Sequence, residues 1–361
     1  MNTQSCKSQL AIVLPSLNPD EKFGAVVNGL LESGFENIVI VDDGSTEDEQ
    51  HWFNSAAEHS QCHVLHHGVN KGKGRALKTA FEYVLQNLPD VKGVITIDGD
   101  GQHLLKDIIA CGEKLLEFPE KVVLGCRNFD LPGIPARSVA GNKTTSRLFR
   151  LCYGIKLSDT QTGLRAISIK YLPRFCQIEG ERFEYETNML LNMKRMGIAF
   201  YEQPIETVYE DDNVRSHYNA VKDSLRIVKI MIKFALSSLG STIIDLGVFY
   251  LVMRFMSGIF GEFAELAATL IARASSSFVN FNTNNKLVFG NEGNYKRALI
   301  RYYCLCIPQL LVSAALVTFI NGLFANTVPI VATAIKFCVD TVLFFISYQI
   351  QREWVFSAKK K

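Results

Sequence analysis

Residues 94 to 103 read VITIDGDGQH, an apolar run that stops at two aspartates, Asp98 and Asp100, with one glycine between them. Two carboxylates at that spacing can share one hard divalent cation, because Gly99 lets the backbone turn tightly and point both the same way. Magnesium keeps several waters and is completed by substrate phosphates, so two or three protein ligands suffice. Such a cation would neutralise a diphosphate. A second acidic strand end, Asp42 and Asp43, offers hydrogen-bond acceptors to a nucleotide's base or ribose, and Lys71, Lys73 and Arg75 bring cations nearby. Alone, Asp-Gly-Asp reads as a solvated turn; the surroundings decide its meaning.

These residues need strands that end side by side. LAIVLPSLN and NIVIVDDGS read as strands with a helix over Asp20 to Gly34 between them, and CHVLHH and GVITIDGD continue the alternation around a helix over Gly74 to Asn87. Continuous apolar strands joined by helices predict an α/β domain, its parallel sheet covered on both faces. Ligands bind such sheets beyond the carboxyl ends of the strands, where Asp42, Asp43, Asp98 and Asp100 all fall. Two nucleotide folds are excluded by their missing loops. Pro15-Ser16-Leu17-Asn18-Pro19 stands where a dinucleotide fold has Gly-x-Gly-x-x-Gly, and GVNKGKGR lacks both the glycine spacing and the Gly-Lys-Ser or Gly-Lys-Thr of a P-loop.

The length of 361 residues leaves room for two domains, and 38 basic against 36 acidic residues give no basis for nucleic-acid binding. Charges are frequent up to about residue 230 and exceptional after it, which places the boundary. Nine scattered cysteines without a Cys-x-x-Cys pair read as free thiols in a reducing compartment. MNTQSCKSQL lacks the apolar core of a signal peptide, so the first domain is expected in the cytoplasm. No internal repeat is evident.

In order, VDDGS, NKGKGRALKTAF, TIDGDGQH, LGCR and DTQTGLRAI resemble the family-two glycosyltransferases of the GT-A fold, specifically the polyprenyl-phosphate hexosyltransferases (dolichyl-phosphate mannose and glucose synthases), from about Leu10 to Phe234. The resemblance implies a Rossmann-like, mostly parallel sheet, with Asp42 as a nucleotide contact and Asp98, Asp100 and Gln102 as the site of Mg2+ or Mn2+ and the diphosphate. It implies that Arg127 binds phosphate and that Asp159 and Arg165 line the catalytic pocket, the structural alternative being an Asp159 to Arg165 pair inside the domain. Pro15, Asn18, Asp43, Lys73, Gly99, Ser216 and His217 complete the expected substrate-binding set, with Arg137 of PARSVAGNK in a stretch similar to the family's acceptor-phosphate region and SHYN resembling the segment that precedes the following helix in the family. Cys126 stands where serine is usual.

Attack by a lipid phosphate oxygen on an anomeric carbon would displace a nucleoside diphosphate, whose charge the cation and arginines stabilise. A phosphate is already an anion, so no strong base is required, and no His-carboxylate arrangement is visible in the sequence. The resemblance implies inversion at the anomeric carbon.

Lys222, Arg226, Lys229 and Lys233 share one helix face, as in a helix at a membrane surface. Beyond them four apolar spans are expected at Phe234 to Met253, Phe263 to Thr283, Tyr302 to Phe324 and Pro329 to Ile350. Cations crowd before the first span, between the second and third, and at the chain end, while the turn at Ala325 to Val328 has none; both termini are therefore expected in the cytoplasm. FVNFNTNNKLVF and FISYQIQREWVF resemble the GtrA-like membrane domain. Asp245 with Arg273, and Lys336 with Asp340, are expected to pair at membrane depth. QREW at 351 to 354 differs in spacing and position from the signature of processive polysaccharide synthases, which leaves one sugar per turnover.

The expectation is therefore a GT-A domain over 1–215, an amphipathic juxtamembrane helix over 216–233 and an all-α domain with four transmembrane helices over 234–361, in a bacterial inner membrane. It would move one hexose from GDP-mannose or UDP-glucose to undecaprenyl or dolichyl phosphate, with no nucleic-acid partner and with room for a homo-oligomer. The competing expectation is a lipid-linked-sugar translocator or scaffold whose GT-A domain is not catalytic.

Overall fold

A computed structural model describes residues 3–356, apart from 132–133, 135, 207–219, 261–262, 292 and 324–328. The chain separates into two compact units, Met1–Arg150 with Ile155–Asp223, and Leu151–Gly154 with Ser224–Lys361.

The first unit is a seven-stranded sheet with helices between the strands. Its strands are β1 (Leu10–Ser16), β2 (Ile38–Asp42), β3 (Cys62–His66), β4 (Gly93–Thr96), β5 (Lys121–Arg127), β6 (Arg165–Ser168) and β7 (Ala199–Ile205), in the order β3-β2-β1-β4-β6-β5-β7. Its helices are α1 (Thr3–Gln9), α2 (Glu21–Ser33), α3 (Gln50–Ala57), α4 (Lys73–Asn87), α5 (Leu105–Glu117), α6 (Ala136–Leu148), α7 (Leu172–Cys176) and α8 (Glu184–Met196). The expected helix over 20 to 34 is α2, with Asp20 accepting a hydrogen bond from the Lys22 amide at 3.1 Å as its N-cap and Gly34 closing it at φ 89°.

Every residue of β2 and all but the last of β1 are buried, as continuous apolar runs covered on both faces require. Ile12, Leu14, Ile38, Ile40 and Ile95 pack with Phe23, Leu30 and Phe53 in one core. Only β6 runs antiparallel to its neighbours, with Thr96 opposite Arg165. That reversal has a functional consequence: the loop before β6 arrives at the edge that the loop after β4 leaves, so DTQTG and DGD meet.

In the second unit, α9 (Ala220–Phe260), α10 (Ala264–Thr283), α11 (Tyr295–Gly322) and α12 (Pro329–Ile350) are the long helices among the described residues. From Ala220 onward the expected surface helix and first span lie on one continuous helix, α9, while 216–219 lie outside the described residues. Lys229–Phe255 of α9, with mean hydropathy 1.6, and Tyr295–Gly322, with mean hydropathy 2.0, are each long and apolar enough to cross a membrane. Both expected charge pairs form: Lys336 Nζ lies 2.8 Å from Asp340 Oδ2, and Arg273 NH2 lies 3.7 Å from Asp245 Oδ2.

The second unit also contains a repeat that the sequence did not reveal. Both α10 and α12 end in a five-residue π turn, Asn284–Val288 and Gln351–Val355. Equivalent positions, 67 residues apart, touch: Asn284 Nδ2 donates to Gln351 Oε1 at 3.2 Å. The Phe289 and Phe356 rings stack at 5.0 Å, and each also meets the aromatic on the other helix, Phe281 with Phe356 and Tyr348 with Phe289, at 5.7 Å in both cases. The two helix ends are thus related by an approximate two-fold exchange. Only a few identities accompany it, because aromatic for aromatic and amide for amide preserve the packing without preserving the letters.

Candidate active site

The carboxyl end of β4 delivers Asp98 into a group of side chains drawn from four segments. Lys73, the first residue of α4, places Nζ 2.6 Å from Asp98 Oδ1 and 3.0 Å from Glu186 Oε2 of α8. Burial alone would raise the Asp98 pKa; the Lys73 ammonium and the neighbouring His103 imidazole together outweigh it and hold the carboxyl well below the usual carboxylate range. Lys73 is driven the other way: burial favours its neutral form, but Asp98 and Glu186 together raise it above the ordinary lysine value. Behind the carboxylate, Gly163 packs so closely that a Cβ there would collide with Asp98 Oδ2. His103 Nε2 lies 3.6 Å from the same oxygen, and both ring nitrogens of His103 are buried without a hydrogen-bond partner.

Asp100 is exposed, and its Oδ1 accepts from the Gln102 amide at 3.0 Å, which closes the turn carrying Gly101 at φ 75°. Its carboxyl is raised above the ordinary value, first by desolvation and then by the negative charge of Asp98. Two carboxylates close enough to repel, with an orphaned imidazole beside them and a glycine in place of a side chain, suit a cation completed by water and phosphate. Among the described residues no three His, Cys, Asp or Glu side chains converge on one point, so Gln102 and substrate phosphates would have to complete its shell.

At the end of β2 the two aspartates diverge. Asp42 is buried and accepts from the Ser45 amide at 2.8 Å, Gln50 Nε2 at 2.9 Å and His66 Nδ1 at 3.0 Å. Burial pushes its carboxyl up, but these hydrogen bonds prevail and lower it. Asp43 turns to the other side and holds the loop before α4, binding His67 Nδ1 at 2.7 Å and the Lys71 and Gly72 amides at 3.0 and 2.7 Å. That clamp fixes the backbone from which Lys73 reaches Asp98. Asn18, in the left-handed region at φ 48°, accepts from the Thr46 amide at 3.0 Å and donates its own amide to Ser45 Oγ at 2.8 Å, tying the loops after β1 and β2 together.

The expectation of no His-carboxylate arrangement is corrected by these pairs. They are clamps: His67 spends its other nitrogen on Thr79 Oγ1 at 3.0 Å, and His66 stands at the end of β3, three strands along the sheet from β4.

On the other side of β4, Arg127 at the end of β5 embraces Asp159, with Nε 2.7 Å from Oδ2 and NH2 3.2 Å from Oδ1. The pairing of Asp159 with Arg165 is therefore replaced by one with Arg127. Arg165 turns inward, 2% exposed, and donates to the Glu186 carbonyl at 2.9 Å and to the Thr162 carbonyl at 3.3 Å. It braces the loop rather than lining an open wall. Pro15 is likewise buried, inside β1. Arg137 belongs to α6, whose described side chains begin beyond it, and Ser216, His217 and the turn at 325–328 lie outside the described residues.

Against known families, residues 11–172 match Glycosyl transferase family 2 and residues 233–359 match the GtrA/DPMS transmembrane domain. The chain joins a family 2 glycosyltransferase domain to a GtrA/DPMS transmembrane domain. Its mixed, mostly parallel sheet is the expected GT-A-like arrangement. An uncharacterised protein of Methanocaldococcus jannaschii is 27% identical over 231 residues, 63% of this chain and 93% of its own length. The UDP-N-acetylglucosamine–dolichyl-phosphate N-acetylglucosaminyltransferase of Methanococcus voltae is 27% identical over 219 residues, 55% of this chain and 86% of its own. Among solved structures, mannosyl-3-phosphoglycerate synthase from Rubrobacter xylanophilus superposes with a TM-score of 0.48 at 19% identity, covering 63% of this chain and 77% of its own.

Three residues of the glycosyltransferase domain's site were not anticipated. Glu186 carried a weak signal, an acidic first turn in the amphipathic run EYETNMLLNM. His103 was adjacent to the Asp-Gly-Asp turn and passed over, and Gly163 acts by having no side chain, which nothing in its spacing announces.

Proposed function

We propose that this glycosyltransferase moves a single hexose from a nucleotide-sugar to a polyprenyl phosphate, with inversion, in a divalent-cation-dependent reaction. The observation that carries the reading is the union, in one chain, of the Asp98 and Asp100 site with a GtrA/DPMS transmembrane domain. A membrane domain attached to a nucleotide-sugar site suits an acceptor that resides in the bilayer, and the name of the Methanococcus voltae relative specifies dolichyl phosphate as that protein's acceptor.

A divalent cation on Asp98, Asp100 and Gln102 would supply charge neutralisation for the leaving diphosphate. The chain's own residues do the rest. Arg127, oriented by Asp159 through two parallel hydrogen bonds, presents its guanidinium as a fixed phosphate-binding group. Lys73 adds an ammonium on the opposite flank of Asp98, anchored by Glu186. Asp42, with Ser45 and Gln50 around it, forms the floor on which the nucleoside would rest; Asn18 and Asp43 shape the loops that border it. The acceptor phosphate needs no general base, since it attacks as an anion.

Orientation follows the cation distribution: the catalytic domain and both termini face the cytoplasm. Among the described residues two helices meet the length and hydropathy of a span, and we assign crossings to α10 and α12 as well. The acceptor is dolichyl or undecaprenyl phosphate according to the host membrane.

Purified protein given polyprenyl phosphate and labelled GDP-mannose, UDP-glucose or UDP-N-acetylglucosamine, with Mg2+ or Mn2+, should yield a lipid-extractable product from one donor. Chelator should abolish it. Label that stays water-soluble with every donor and either lipid would overturn the reading.

A further inference from the structure

Resting on that reading, we propose that Lys73 and the divalent cation compete for Asp98, and that Glu186 is a positioning residue which retains the displaced ammonium for the leaving diphosphate.

The geometry sets up the competition. Lys73 Nζ sits 2.6 Å from Asp98 Oδ1, while Gly163 and His103 back the other oxygen, so the approach to the carboxylate lies on the side the ammonium holds. A cation bonded to the same carboxylate would stand within a few ångströms of a full positive charge, and in a site where Lys73 is only 18% exposed water does little to screen the repulsion. Lys73 thus opposes a cation at the carboxylate oxygen it occupies.

Glu186 makes the displacement productive. Its Oε2 holds Nζ at 3.0 Å, and its own backbone carbonyl is pinned by Arg165 at 2.9 Å. The Lys73 backbone is fixed as well, because Asp43 binds the two amides that precede it. With the backbone held by hydrogen bonds at both ends, the four-carbon stem of Lys73 can swing away from Asp98 while Nζ remains bonded to Glu186. Charge balance fits: Asp98, Asp100 and Glu186 carry three negative charges against one on Lys73, a deficit that one divalent cation closes. The arriving diphosphate then brings the negative charge that Lys73 is free to meet.

The test is Mn2+ binding to the full-length protein in detergent, read by electron paramagnetic resonance without donor, alongside transfer kinetics. Lys73→Met should bind Mn2+ at least about 5-fold more tightly than wild type, the scale of a modest coupling between sites, while kcat for transfer falls. Lys73→Arg, which keeps the charge, should show no such gain. Glu186→Gln should move affinity the opposite way, weakening Mn2+ binding, with a loss in kcat larger than any change in donor KM. If Lys73→Met binds Mn2+ no more tightly than wild type while Asp98→Asn abolishes binding, the competition is refuted and the metal site stands. If wild type shows no Asp98-dependent Mn2+ binding, the metal-site reading itself fails and the proposal falls with it.

Discussion

Gly163, in the loop before β6, packs against the Asp98 carboxylate with no space for a Cβ between them. The antiparallel β6 makes this possible, since Thr96 and Arg165 are paired across the sheet and Thr96 Oγ1 donates to the Gly163 carbonyl at 2.7 Å. Gly163→Ala must push Asp98 aside or open the loop. Displacing a group at a reacting centre by about 1 Å can cost about 100-fold in rate, so transfer should fall by about that factor with only a modest fall in melting temperature. Activity within about 3-fold of wild type, against the roughly 100-fold loss expected, would show that the contact does not position Asp98.

Arg127 and Asp159 should behave as one unit. Asp159 is buried with its charge directed at a guanidinium that remains partly exposed, so removing either partner disorients the other. Arg127→Ala, Asp159→Ala and the double variant should show nearly equal losses in transfer, the non-additivity expected of groups sharing one interaction. Independent, additive losses would assign them separate roles.

The Asp42 cluster makes a pH-dependent contribution to stability. Its folded pKa lies below the unfolded value, so the stabilisation is present above the unfolded value of about 3.9 and is lost as pH falls through the folded value. Gln50→Leu removes one donor and should cost about 1 kcal/mol at neutral pH. Thermal melts from neutral pH downward should show the wild-type advantage steady at first and shrinking once the pH drops below the unfolded value.

In the membrane domain, the contact between Asn284 and Gln351 joins the two related helix ends. Interhelical hydrogen bonds of this kind contribute about 0.6 kcal/mol on average. A double-mutant cycle with Asn284→Ala and Gln351→Ala, measured by unfolding in detergent, should return a coupling of about that size; zero coupling would separate the two ends energetically.

Much of the glycosyltransferase domain was legible because a buried parallel sheet writes itself as apolar runs punctuated by polar loops. The strands through β4, helices α2 and α4, and the acidic strand ends all carried that signature. What sequence reasoning could not see depended on contacts between distant segments. The Arg127 to Asp159 pair spans 32 residues, and the structural alternative of an Asp159 to Arg165 pair followed chain proximity, whereas Arg165 turns inward at the start of β6. Asp43 looked equivalent to Asp42, yet the alternation of side chains sends the two to different partners. The repeat of α10 and α12 was hidden because packing conserves ring and amide positions rather than residue identity.

The most direct test of the account is transfer of labelled sugar into lipid by Asp100→Asn beside wild type, at equal expression and membrane insertion. Asp100 is exposed and makes its one described hydrogen bond within its own turn, so the substitution removes a charge from the site without disturbing the core. The account predicts that the variant folds and inserts normally and transfers no measurable sugar. Wild-type transfer by that variant would contradict the assignment of Asp98 and Asp100 as the cation-bearing pair.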